Sequence, residues 1–130
     1  MSTPYILMQN SFHSQFQSKI ILDADLEKQF LLSAIGDFSL DLYELTWDSV
    51  NEEILEDLKQ TEINLLGKLM YKYYLYRERD KVLKLNNIIG KDVRLTGMAD
   101  SKGHINKTIE SLNGEISEII NKMKTNSFYE

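Results

Sequence analysis

A chain of 130 residues with 42% hydrophobic and 27% charged side chains suffices for one compact domain with a modest core, and excludes both a disordered polymer and two domains of ordinary size. Twenty acidic against fifteen basic residues give a formal charge of -5, which sets aside non-specific attraction of the whole molecule to nucleic-acid phosphates or an anionic membrane, though not a local basic patch. With no cysteine, disulfide frameworks, thiolate catalysis and thiolate-rich zinc sites all fall away.

Residues 1–22 are rich in Ser, Gln and Asn, with Tyr5, Ile6, Leu7, Phe12 and Phe16 scattered among them without a helical period, and read as an extended arm laid against a neighbouring surface. Neither a signal peptide nor an apolar run of membrane-spanning length is visible, so a soluble, unprocessed protein with no membrane partner is expected. Asp23 or Asp25 can cap a short helix carrying Leu26, Phe30, Leu31 and Ala34 and stopping near Gly36. From Asp37 to Thr46 the alternation of Phe38, Leu40 and Leu42 with Ser39 and Asp41 suits an extended stretch.

Ser49 followed by Glu52 has the spacing of a capping box, with Trp47 upstream placed like a hydrophobic staple, so a long central helix is expected to start there. Its stripe runs through Ile54, Leu58, Leu65, Leu69, Tyr76, Leu83 and Ile88 to Gly90, roughly 55 to 60 Å at 1.5 Å per residue. That exceeds the diameter of so small a domain, so the helix either bends near Gly67 or reaches past the core toward partners. Asp92 to Gly103, with Val93 and Leu95 and then Gly97, Asp100, Ser101 and Gly103, reads as turns and a short hairpin. A last amphipathic helix carries Ile105, Ile109, Leu112, Ile116, Ile119, Ile120 and Met123, and residues 125–130 form a tip with Phe128 and Tyr129. The fold expected is therefore a single mainly α domain.

No constellation for chemistry emerges. His13 and His104 lack a metal-ligand partner at helical spacing, so neither a metal nor an acid-base role is assigned to them. Asp23, Asp25 and Glu27 resemble the start of a calcium loop only until Lys28 occupies the glycine position, and helix capping explains them better. Gly90-Lys91-Asp92 lacks the upstream glycine and the following Ser or Thr of a phosphate-binding loop. The paired carboxylates Glu52 with Glu53 and Glu56 with Asp57 read as a solvated face. No catalytic residue, cofactor or metal is expected.

The unusual feature is Tyr71-Lys72-Tyr73-Tyr74-Leu75-Tyr76-Arg77-Glu78-Arg79, four tyrosines and three cations on little more than two turns. Three uses compete: an interface, since Tyr and Arg dominate protein hot spots; an intrachain core; and stacking with single-stranded nucleic acid. The interface reading leads, with Tyr71, Tyr73, Tyr74, Tyr76, Arg77, Arg79, Phe128 and Tyr129 as contact residues.

The stretch Leu69 to Val82, an aromatic run followed by Arg77-Glu78-Arg79, resembles the helix of small head-to-tail connector (adaptor or neck) proteins of tailed bacteriophages. The continuation Leu85-Asn86-Asn87-Ile88-Ile89-Gly90-Lys91-Asp92-Val93-Arg94-Leu95-Thr96-Gly97, a polar loop, a last helix and an aromatic tip is similar to virion proteins of phages from low-GC bacteria. The resemblance implies a virion ring subunit, a homo-oligomer of twelve copies between portal protein and tail or head-completion proteins, with DNA passing through its channel and no chemistry of its own. Two other functions compete: a small acidic regulator or inhibitor of a host protein, and a single-strand nucleic-acid-binding protein.

Overall fold

The computed structural model describes residues 2–16, 22–89 and 96–129, excluding the side chains of 85–89, 96–102 and 125–129. Among the described residues the chain is mainly helical, in the order β1 (Thr3–Pro4), α1 (Tyr5–His13), α2 (Ala24–Asp41), β2 (Trp47–Asp48), β3 (Glu53–Ile54), α3 (Gln60–Ile89) and α4 (Thr96–Tyr129).

The stretch expected as an extended arm is instead part of the core through residue 16. Pro4, with φ -66° and ψ 149°, holds the chain extended just before α1. Tyr5, Met8 and Phe12, spaced by three and four, then turn inward and are buried. Ile6 and Leu7 face outward, 52% and 41% exposed, and these two outward apolar residues are what hid the helical period. Thr3 anchors the start: its Oγ1 donates to the Glu56 carbonyl at 2.8 Å and accepts the Leu58 N–H at 2.9 Å. β3 is the central strand of a small antiparallel sheet, Ile54 pairing with both Thr3 and Trp47.

α2 does not stop at Gly36, and Phe38 to Leu40 are helical rather than extended. A mid-helix glycine costs about 1 kcal/mol against alanine; burial of Ala34, Ile35 and Phe38 around it outweighs that. Asp23 occupies the N-cap position, as expected, but its side chain makes no capping hydrogen bond; its carbonyl accepts the Glu27 N–H at 3.0 Å.

The capping box expected at Ser49 and Glu52 is a four-residue hairpin turn. Asp48 organises it by accepting the Val50 N–H at 3.0 Å, the Asn51 N–H at 3.2 Å and Asn51 Nδ2 at 2.9 Å. Those bonds, the Asn51 side chain's first, hold the Asp48 carboxyl below its ordinary range. Glu52 closes the turn at φ 53°, in the left-handed region. Trp47 packs edge-on against Tyr5, centroids 6.2 Å apart, instead of stapling a helix.

α3 starts at Gln60, where Glu62 Oε1 accepts the Lys59 N–H at 2.9 Å, the reach-back half of a capping box. Its 30 residues give about 45 Å without interruption at Gly67. There α1 comes so close that a Cβ would lie 2.8 Å from the Ser11 carbonyl carbon. α4 begins at Thr96, so the turns expected over 96–103 are helix, whereas Val93 and Leu95 lie outside the described residues. The Lys68–Glu115 ion pair at 3.1 Å, with only six residues joining the helices, makes α3 and α4 an antiparallel hairpin.

The core lies where α1, α2 and α4 meet the first half of α3: Met8, Phe12, Leu31, Ala34, Phe38, Leu65, Leu66 and Met70 are fully buried. On α4 the expected stripe is present, with Ile109, Leu112, Ile116 and Ile120 buried. Beyond Leu75 on α3, residues 76–84 contain no buried side chain, and neither do residues 103–108 of α4. The far half of the hairpin therefore reaches past the α1/α2 body as a two-helix arm whose base, at Tyr76 and Ile105, still packs against the core.

Candidate functional site

The tyrosine band lies where that arm leaves the body, and the fold divides it into three parts. Tyr71 and Tyr74, three apart, stack nearly parallel at 6.1 Å and close an aromatic nest with α1 and α2. Phe16 meets them edge-on at 5.1 and 4.9 Å, while Phe12 and Phe30 lie 6.4 and 6.5 Å from Tyr74. Burial pushes both phenols above their ordinary pKa, with the Glu78 charge adding to the effect at Tyr74.

Tyr73 faces α2. Its hydroxyl donates to Asp37 Oδ2 at 2.8 Å, and Lys72 Nζ reaches the same oxygen at 2.7 Å. Burial, reinforced by the Asp37 carboxylate, pushes the Tyr73 phenol up to about 12. Lys72 also lies over the rings of Tyr73 and Tyr76, at 5.0 and 6.0 Å.

Tyr76, Arg77 and Arg79 make the third part, on the arm side of Leu75. The Arg79 guanidinium sits 5.0 Å over the Tyr76 ring, whereas Arg77 pairs with Glu78 at 3.7 Å. Phe128 and Tyr129 fall in the last turn of α4, but their side chains lie outside the described residues. Tyr71, Tyr73 and Tyr74 thus fix α1 and α2 to α3, and Tyr76 with Arg79 is the portion of the band directed along the arm.

A second cluster was not legible as such in the sequence. Glu27, 2% exposed, receives Tyr5 Oη at 3.4 Å, Gln9 Nε2 at 2.9 Å and His13 Nε2 at 2.7 Å. The signal was the spacing of Tyr5, Gln9 and His13 by fours, one polar stripe of a helix. Burial first, and then the Glu27 charge, raise the Tyr5 phenol. Although His13 and Glu27 stand at proton-transfer distance, the carboxylate is sealed and its partners all come from α1. The arrangement is a polar knot that docks α1 on α2.

Comparison with protein-family models, with curated proteins and with solved structures finds no match to this chain. Among the described residues no helix is long and apolar enough to cross a membrane, and no group of three or more His, Asp or Glu could hold a metal ion.

Proposed function

We propose that this chain is a virion structural protein, a ring subunit of the head-to-tail connector of a tailed bacteriophage, set between portal and tail around the DNA channel. The observation that carries the reading is the arm. A helix pair that leaves the body with Val82 and Leu83 only half-buried completes its packing in an assembly rather than in the monomer. The connector resemblance also falls on this element, since Leu69 to Val82 and Leu85 to Gly97 comprise most of the distal α3 and the start of α4. Tyr76 and Arg79 at the arm's base are the side-chain types that anchor protein interfaces.

Stacking on single-stranded nucleic acid draws less support, because Tyr71 and Tyr74 already have ring partners within the chain. Sedimentation of the purified protein, alone and with a portal ring of a phage that encodes it, tests the proposal. A high-order species, or co-sedimentation with the portal, is expected. A monomer that ignores the portal at micromolar concentration would rule the connector reading out.

A further inference from the structure

Charge is distributed along α3 far more unevenly than the sum of -5 suggests. On the arm, the residues with described side chains, 76–84 and 103–108, hold five cations (Arg77, Arg79, Lys81, Lys84, Lys107) against Glu78 and Asp80, a net of +3. At the opposite end, segments 40–46 and 55–62 hold Asp41, Glu44, Glu56, Asp57 and Glu62 against Lys59, a net of -4. Those two segments form one surface. The Thr46 carbonyl accepts the Leu55 N–H at 2.9 Å, Glu56 accepts the Thr46 N–H at 2.9 Å, and the Tyr43 hydroxyl donates to Glu62. Large apolar side chains lie open on it: Leu40 is 86% exposed, Leu55 51% and Tyr43 44%.

The two ends cannot meet within one chain. Lys84 lies 24 residues beyond Gln60 on an unbroken helix, about 36 Å at 1.5 Å per residue. Asp41, Glu44 and Asp57 are exposed without an ion-pair partner among the described residues, and so are Lys84 and Lys107. The pole therefore presents open apolar side chains edged with negative charge, and the arm presents positive charge beside the part-buried Val82 and Leu83.

We infer that the basic arm of one copy docks on the acidic, apolar pole formed by residues 40–46 and 55–62 of a second copy. Charge complementarity between the two ends, together with the open Leu40, Tyr43 and Leu55 at the pole, points to a second copy as the occupant. A contact of this kind joins two different surfaces of identical subunits, which closes into a ring when the rotation per subunit allows. The inference rests on the reading of the chain as an assembly subunit, but not on which assembly.

A charge-swap experiment with full-length protein tests it. One variant reverses the arm (Arg79→Glu, Lys84→Glu, Lys107→Glu, from +3 to -3) and another reverses the pole (Asp41→Lys, Glu44→Lys, Asp57→Lys, from -4 to +2); all six positions lie outside the core. Sedimentation velocity in low salt is expected to show self-association of the wild type, weakened at least about tenfold in either variant alone because like charges then face each other. Mixing the two variants restores complementary partners at every contact, so association should return to near the wild-type level, which misfolded variants could not do. Wild type that stays monomeric at 100 μM overturns the proposal, as does a mixture that stays dissociated. Arm reversal that abolishes binding to a duplex DNA probe but leaves self-association intact assigns the arm to nucleic acid and overturns it equally. Restored association that stops at a dimer and ignores the portal would remove the connector reading alone.

Discussion

Gly67 and Ser11 set how closely α1 approaches α3. A methyl group at residue 67 would fall within 2.8 Å of the Ser11 main chain, and backbone cannot rotate away as a side-chain tip can. Gly67→Ala is therefore expected to destabilise the fold by about 1–3 kcal/mol, the range for overpacking, despite alanine's better helix propensity. Equilibrium denaturation measures this; a more stable variant would mean that α1 is free to move off α3. Ser11→Ala should be mild by comparison, because the buried Ser11 hydroxyl has no hydrogen-bond partner among the described residues. Tyr73 gives a pH signature. The folded protein holds its proton to about 12, against 10.0 for the free phenol. Between those values the unfolded chain binds fewer protons, so this contribution to stability is complete below pH 10 and is lost as pH rises through the folded value. Tyrosinate absorbance in the native protein should accordingly lag behind that of the denatured chain. Asp37→Asn should shorten the lag by removing the charge that reinforces burial, and an unchanged titration would show that burial alone holds the proton.

At the scale of elements, the Glu27 knot decides whether α1 stays docked. Hydrogen bonds to a charged group contribute about 1.5–3 kcal/mol each, but His13 is 41% exposed and can turn to water, so Glu27→Ala is expected to cost about 2 kcal/mol in total. Amide exchange should show α1 opening before α2, and a variant with unchanged exchange in α1 would show that apolar packing of Met8 and Phe12 suffices. The same elements show what was readable in advance. The α4 stripe from Ile109 to Ile120 could be read because one face packs on one neighbour, giving a clean period. α1 could not, since Ile6 and Leu7 point outward for no reason internal to the fold. Gly36 reads as a stop, and Gly67 as the place of a bend unless the helix reaches past the core; core packing carries the helix through Gly36, and close approach of α1 requires Gly67. Ser49 and Glu52 have the spacing of a helix start, but Asp48 captured the adjacent N–H groups for a turn, and the reach-back carboxylate appeared ten residues later as Glu62. The tyrosine band was visible as a feature. Its division between nest and arm depends on Phe16, Phe30 and Asp37, which are distant in sequence.

For the whole molecule, stability should be graded along α3. Residues 60–75 bear the core, with Ile63, Leu65, Leu66, Leu69, Met70 and Leu75 buried, so their amides should exchange only when the domain unfolds globally. Residues 76–84 carry no buried side chain and have α4 as their packing neighbour, so local opening there should be easier by several kcal/mol. Hydrogen exchange read by mass spectrometry is expected to show a sharp fall in protection just past Leu75 in dilute protein. The difference between docked and free arms is concentration-dependent, because binding stabilises only the state it selects. Raising protein concentration in low salt should therefore slow exchange in residues 76–84, in 103–108 and at the acidic pole together, leaving residues 60–75 unchanged. Added salt should reverse this at the arm and the pole in parallel, since the complementary charges are exposed and screened. Uniform protection along α3 at every concentration would mean that the arm is complete in the monomer, and the argument for assembly through it would fail.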